Sequence, residues 1–252
     1  MQIIQKAIII MLNMGRKNTQ RSSLRHERSF YPEFGARHIA TDCDTLAFFF
    51  DDMKHALRNI LPSVAVFDER TGEPKFDSSG EPRTKDLFRL YDHVDKTGIS
   101  VLERRLASDY AKKHRIRWTK QDVGRIRGRI QDEIGRLDLA DRNLTINFSN
   151  VVRVGDADAE GENARKLALI PDQATDEAEF LVREHAICVD GISTSLSRFR
   201  YPYSTYIPHM TVGRIFRDVP KESMNEVVES VQELLPIEVE LNPIKFTLQQ
   251  EI

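Results

Sequence analysis

Cysteine is scarce in this 252-residue chain, and long apolar runs are absent. The two cysteines, Cys43 and Cys188, argue against a disulfide framework and against a cysteine-based zinc site. No apolar run approaches the roughly 20 residues that a membrane-spanning helix needs. We therefore expect a cytoplasmic protein with no membrane partner, since free cysteines are typical of a reducing compartment.

A charge excess of either sign is also lacking, because 37 basic residues nearly balance 39 acidic ones. The whole molecule thus has no strong field to attract a polyanion, and long duplex DNA is not an expected partner. A nucleotide or a short RNA substrate fits this balance better. The length allows one large domain or two small ones, and the oligomeric state is left open.

The N-terminus lacks the marks of a signal peptide. Residues 1–14 are largely apolar and residues 16–23 are polar and basic, whereas a signal peptide has a charged start and a small-residue cleavage site. We interpret residues 1–30 as an N-terminal extension, ordered or disordered. It would serve as a core or docking segment, or would precede a start at Met11 or Met14.

The C-terminal half has clear periodicities. Alternation over 144–149 predicts a strand, and the apolar run 167–170 predicts a second strand that ends at Pro171. Thr175 is typical of a helix N-cap, and Gly191 is expected to end that helix. Further along, the pattern predicts an acidic loop at 156–162, a helix at 224–235, and strands at 237–241 and 244–248.

The N-terminal half is less regular. Residues 68–86 are charged and rich in Gly, Pro and Ser, which predicts an exposed, mobile loop. The other predicted elements are strands at 36–41 and 64–67, a helix capped by Asp44 or Thr45, helices over 96–113 and 120–137, and a strand near 113–119.

The segment Tyr206–Arg214 combines a histidine and a threonine two residues apart. Side chains at this spacing on a strand point to the same side, so His209 and Thr211 would face one cleft. Pro208 suits a strand start, and Gly213 allows a tight exit. An imidazole that moves a proton, beside a hydroxyl that holds an oxyanion, indicates acid/base chemistry.

This His-x-Thr unit resembles the second signature of the 2H phosphoesterase superfamily, which includes 2′–5′ RNA ligase and cyclic phosphodiesterase-like enzymes. Members use two His-x-Thr/Ser units to cleave or form phosphodiesters without a metal. The predicted element order from residue 144 onward is also that of the second lobe of this fold. The resemblance implies an α+β domain over 31–252, a two-lobed antiparallel sheet with flanking helices and lobes at 31–140 and 141–252.

The resemblance also implies a second catalytic histidine, and the alternatives stay open. His114 lies 95 residues before His209, but Ile116 stands where Thr or Ser is expected. His38 has Ala40 at that position and needs a large insertion before the next lobe. The third alternative is that His209 has no partner.

The remaining histidines are interpreted as structural or solvated. His55 and His185 fall on or beside apolar helix faces, whereas His26 lies in a basic tail and His93 in a charged stretch.

Basic and aromatic residues near His209 are candidate substrate contacts. Arginines pair with phosphate and tyrosines stack on bases, so Arg200, Tyr206 and Arg214 are predicted to bind substrate.

The activity implied by the resemblance is metal-independent phosphodiester hydrolysis or transesterification. The substrate would be an RNA end, a 2′,3′-cyclic phosphate, a 2′–5′ linkage or a cyclic nucleotide. His209 and His114 or His38 would exchange protons, and Thr211 would hold a phosphate oxygen. No cofactor is implied, and no metal, since neither zinc-type Cys/His spacing nor a carboxylate cluster occurs.

Two other functions remain open from the sequence. A degenerate first signature is compatible with a catalytically inactive 2H-like domain that binds RNA or a nucleotide. The segment Pro208–Gly213 is also compatible with a plain strand in an interaction domain.

Overall fold

The structure, a computed structural model, describes residues 31–68, 70–93, 96–155, 165–196, 198–202, 205–216 and 219–249. The N-terminal extension and the acidic loop at 156–162 lie outside the described residues. The strands are β1 (Glu33–Ile39), β2 (Val64–Ala65), β3 (Thr84–Lys85), β4 (Phe88–Leu90), β5 (Gly98–Leu102), β6 (Leu144–Val154), β7 (Lys166–Pro171), β8 (Met210–Ile215), β9 (Ile237–Leu241) and β10 (Lys245–Gln249). The helices are α1 (Cys43–Ile60), α2 (Leu106–His114), α3 (Lys120–Ile134), α4 (Asp176–Ser193) and α5 (Lys221–Gln232).

One antiparallel sheet organises the described chain. Its strand order is β10-β1-β5-β8-β7-β6-β9, and β4 pairs with β8 beside β5. A bridge between Ala40 and Leu241 joins the end of β1 to β9, so the sheet curls and its two ends approach each other. The predicted class, an α+β fold with an antiparallel sheet and flanking helices, is confirmed.

The helices cover the sheet through apolar faces at helical spacing. In α1, Leu46, Phe49, Met53 and Leu57 are buried, and α1 packs on α5 and on β9. Helix α4 packs on β5 and on α3. A Cβ at Gly191 would lie 2.6 Å from Ile130 Cγ1, so the missing side chain lets α3 and α4 approach closely.

Most predicted elements of the C-terminal half are confirmed. Strands β6, β7, β9 and β10 and helix α5 lie where the periodicities predict them. The Thr175 hydroxyl caps α4 by accepting a hydrogen bond from the Ala178 backbone N–H at 3.2 Å.

Four local predictions are wrong. Residues 96–113 do not form one helix, because β5 occupies their first part and α2 follows. Residues 113–119 form no strand, since they end α2 and lead into α3. Asp42, rather than Asp44 or Thr45, caps α1 by accepting from the Thr45 N–H at 3.0 Å. Helix α4 continues past Gly191 because that residue packs between helices instead of ending one.

The segment 68–86, predicted to be exposed, is joined to the rest of the fold by the two-stranded ribbon β2–β3. Gly72 and Gly80 take positive φ values of 71° and 87° in its turns, a backbone region that glycine occupies without strain. Within the described residues, no helix combines the length and the apolarity that crossing a membrane requires.

Candidate active site

The candidate site lies on one face of the sheet, where β5 meets β8. Ile99 pairs with Met210 across these strands, and both side chains are fully buried in the core. Because successive side chains alternate between faces, the residues on either side of this pair point to the other face. This second face therefore carries Gly98 and Ser100 from β5, and His209 and Thr211 from the start of β8.

These residues open onto a cavity of about 300 Å³. Its volume is at the lower end of the range usual for small-molecule sites. The lining combines hydroxyls, cationic groups and two imidazoles. It consists of Arg37, Tyr91, His93, Lys96, Thr97, Gly98, Ser100, His209 and Thr211.

His209 is held in one orientation by the turn that precedes it. Its Nδ1 lies 3.0 Å from the Ile207 carbonyl, so Nδ1–H donates there and Nε2 is left to accept a proton. Burial lowers the pKa of His209; the Ile207 bond and the Glu103 charge oppose this, and the Lys166 charge adds to it. At neutral pH the neutral imidazole therefore predominates, which is the form that a general base requires.

Gly98 occupies on β5 the position that His209 occupies on β8. A Cβ built on Gly98 would lie 1.9 Å from the backbone oxygen of His38 on the neighbouring β1. No side chain of any kind fits at this separation. The β5 half of the site thus has a hydroxyl, Ser100, and by necessity no imidazole beside it.

Arg37 of β1 extends across this gap. It pairs with Ser100 in the sheet register, so both side chains lie on the cavity face. Its Nη2 donates to the Lys96 carbonyl, while its buried Nε has no hydrogen-bond partner in the described structure. Burial lowers the pKa of Arg37, although a guanidinium remains charged. The cavity is thereby given a fixed positive charge.

One wall of the cavity is formed by residues between β4 and β5, namely Tyr91, His93, Lys96 and Thr97. The Tyr91 N–H donates to the Val212 carbonyl of β8 at 2.9 Å, which fixes one end of the loop. The Thr97 hydroxyl lies 3.0 Å from the His93 carbonyl, and the Lys96 N–H donates to the same oxygen at 2.8 Å. His93 is therefore carried by a loop with internal bonds, although its side chain is largely exposed.

A row of cationic residues extends along the same face, away from the cavity. Arg214 of β8 lies opposite Arg89 of β4 and Lys166 of β7. Ala168 pairs with Thr211, and a register shift beside Ala168 makes Lys166 the partner of Arg214. Lys166 and Ala168 are two residues apart, so the row and Thr211 share one face.

The structure places His38 on the opposite face, inside the core. Its Nε2 lies 2.6 Å from Glu184 Oε2, and its Nδ1 donates to the Asn242 carbonyl at 2.8 Å. Burial raises the pKa of Glu184, and the contact with His38 opposes this shift. Because the adjacent Arg37 faces the cavity, the alternation of β1 turns His38 away from His209.

His114 is also separate from the cavity lining. It is the last residue of α2, is exposed, and packs at 4.3 Å against the ring of Tyr110 in a tilted arrangement. The strand on which the His114 hypothesis depended is absent. Thr119, five residues on, caps α3 in a reciprocal arrangement with Asp122.

The predicted substrate contacts have different surroundings. Tyr206 contacts the backbone of β5 and helix α4. Its hydroxyl donates to the Ser100 carbonyl at 2.9 Å, and its ring stacks at 4.0 Å on His185. Arg200 is exposed in the segment after α4 and does not line the cavity. Arg214 belongs to the cationic row.

The sequence interpretation missed Arg37, His93 and Ser100 as cavity residues. A usable signal existed for one of them: Gly98-Ile99-Ser100 repeats the spacing of His209-Met210-Thr211 with the histidine missing. In the described residues, no group of three or more His, Cys, Asp or Glu side chains is arranged to hold a metal ion.

Comparisons with known proteins add little to this description. No protein-family model matches the chain, and a search of curated proteins finds no significant match. A structure of Usb1 from Kluyveromyces marxianus with uridine monophosphate is similar at a TM-score of 0.44 and 10% identity, over 87% of this chain and 96% of that chain. At this level the likeness identifies neither the family nor the activity of this chain.

Proposed function

We propose that this chain is a 2H-type phosphoesterase that cleaves a phosphodiester in the β5–β8 cavity without a metal. The observation that carries the proposal is the pairing of Gly98-x-Ser100 with His209-x-Thr211 across adjacent strands. Two hydroxyls and an oriented imidazole then face one space. The substrate is an RNA end, a 2′,3′-cyclic phosphate, a 2′–5′ linkage or a cyclic nucleotide.

The charge of the cavity supports a phosphate ligand. Arg37 and Lys96 both line it, and a guanidinium pairs well with phosphate oxygens. The Ser100 and Thr211 hydroxyls lie on neighbouring strands and can donate to two further oxygens. Donors fixed before the reaction stabilise the charge that develops on phosphorus-bound oxygens in the transition state.

His209 acts as the general base in this proposal. Its Nε2 takes the proton from the attacking hydroxyl or water while that oxygen forms a bond to phosphorus. The bond between phosphorus and the leaving oxygen breaks, and the leaving oxygen gains a proton from a second donor. The bond from Nδ1–H to the Ile207 carbonyl keeps Nε2 unprotonated before the reaction.

The cationic row favours a substrate with more than one phosphate. Arg89, Arg214 and Lys166 continue the positive charge on the cavity face beyond Thr211. A cyclic mononucleotide would occupy the cavity alone, whereas the flanking phosphates of a short RNA would reach the row. We therefore rank an RNA end above a cyclic mononucleotide.

Turnover of a small substrate panel in EDTA tests the proposal. The panel holds short RNAs with 3′-terminal phosphodiesters, 2′,3′-cyclic nucleotides, 2′–5′ oligoadenylate and cyclic dinucleotides. His209→Ala should lower kcat by about 10²- to 10⁴-fold, the usual contribution of an acid/base group. His55→Ala, at an exposed position of α1, is the matched control and should leave kcat unchanged.

A non-catalytic binding domain is the second candidate, and Gly98 favours it. The family chemistry requires a histidine where this chain cannot carry one. Binding of nucleoside monophosphates or short RNA by calorimetry, without turnover of any panel member, would support this candidate and contradict the first.

A further inference from the structure

We infer that His93, on the loop between β4 and β5, supplies the second acid/base group that β5 itself lacks. The inference rests on the proposed phosphodiesterase function, and it deepens that function by naming a further catalytic residue. In this arrangement the second imidazole has moved from a strand position to the adjoining loop.

The strand position is closed to a histidine. The 1.9 Å between a Cβ on Gly98 and the His38 oxygen is far inside any real contact, and His38 is itself anchored to Glu184 and Asn242. Strand β1 would have to separate from β5 before residue 98 could carry a side chain. A second imidazole must therefore reach the cavity from another element.

His93 comes from the element best placed for this. Strands β4 and β5 pair with successive stretches of one edge of β8, so the segment between them begins and ends at that edge. Both His93 and His209 line the same cavity. Among the described residues that line it, these two carry the imidazole side chain that acid/base catalysis most often uses.

The backbone around His93 is fixed on both sides. The Tyr91 N–H donates to Val212 of β8, and the His93 carbonyl accepts from the Lys96 N–H and from the Thr97 hydroxyl. The Thr97 carbonyl in turn accepts from the Ala40 N–H at 2.9 Å. These contacts hold the backbone of His93 at the cavity while its side chain stays exposed.

The protons balance with His93 as the acid. His209 Nε2 accepts the proton of the attacking oxygen, the new bond to phosphorus forms, and the bond to the leaving oxygen breaks. The His93 imidazolium gives its proton to that leaving oxygen. Each turnover leaves His209 protonated and His93 neutral, and exchange with water restores both.

The groups that face His93 suit this role. Arg37 and Lys96 line the same cavity and, with the neutral Tyr91, face the space of His93, so they can neutralise a bound phosphate in place of His93. The imidazolium then remains available for the leaving oxygen.

The test compares His93→Ala with the wild type on the panel substrate that the wild type cleaves fastest. We expect kcat to fall by about 10²- to 10⁴-fold with KM changed less than about threefold, because a general acid acts in the transition state. The fall of kcat/KM at acid pH, due to His209, should remain in this variant. Free imidazole in the buffer should restore part of the rate.

His55→Ala is again the control, and thermal unfolding checks that His93→Ala folds. An active wild type whose His93→Ala variant keeps kcat within about threefold would overturn the inference and leave the proposed function intact. A folded wild type that cleaves no panel member would overturn both. A loss of activity in His209→Ala but not in His93→Ala would show that the site operates with a single histidine.

Discussion

The two strands that meet at the cavity carry the same arrangement with one difference. On β8 the sequence is His209-Met210-Thr211, and on β5 it is Gly98-Ile99-Ser100. Both place an apolar residue in the core and a hydroxyl in the cavity. Only the position of the imidazole differs, and backbone packing rather than chemistry decides it.

Strand β8 has room for His209 because it begins its pairing only at Met210. Strand β5 lies directly against β1, where the His38 carbonyl occupies the space that a side chain at residue 98 would need. Strand β5 thus keeps the hydroxyl of Ser100 but has no imidazole at residue 98. In our inference, His93 on the neighbouring loop supplies that imidazole.

The largest expected effect on stability comes from breaking the buried pair of His38 on β1 and Glu184 on α4. His38→Ala leaves Glu184 buried without its partner, which costs about 3–5 kcal/mol for a buried pair. Glu184→Gln keeps a hydrogen-bonding group at the same place and should cost much less. Urea unfolding measures both variants, and equal losses in the two would contradict the role assigned to the pair.

Removing the hydroxyls tests the equivalence of the two strands. Thr211→Val and Ser100→Ala should each lower kcat by about 10²- to 10³-fold, since each removes one fixed donor from the developing charge. Single-turnover rates at saturating substrate measure this. A loss at Thr211 with none at Ser100 would contradict the equivalence and restrict the chemistry to β8.

A smaller effect is expected from filling the position that β5 leaves empty. Gly98→Ala should destabilise the fold by about 1–3 kcal/mol, the usual cost of overpacking, because β1 must move. Gly124→Ala is the matched control: no atom lies within 4 Å of its Cβ, so it should stabilise α3 by about 0.5–1 kcal/mol. A neutral Gly98→Ala would show that the His38 carbonyl does not exclude a side chain.

The sequence predicts the β8 half of the site better than the β5 half. Alternation and capping signals in the C-terminal half are local, so β6, β7, α4 and the His209-Thr211 pair follow from neighbouring residues. Strand β5 is only five residues long and ends on two apolar residues, Val101 and Leu102, so its alternation is too short to separate it from the helix that follows. The Gly98-x-Ser100 pattern therefore falls within the helix predicted over 96–113.

Other site residues depend on tertiary contacts. The place of Arg37 follows from the register of β1 on β5, and that of His93 from how β4 and β5 share an edge of β8. His38 and His114 were plausible by spacing alone. The register of β1 on β5 places His38 in the core. His114 lies at the end of α2, which the left-handed backbone of Arg115 terminates.

The most direct test is an NMR titration of the histidine rings, with and without a nucleoside monophosphate. Burial holds the pKa of His209 below its ordinary value of 6.5, so its ring should protonate below that pH in the free protein. A bound phosphate should raise the pKa, because the anion stabilises the imidazolium. The ring of His55 on α1 should not respond. A His209 ring that protonates at or above 6.5 and ignores the nucleotide would contradict a phosphate site between β5 and β8.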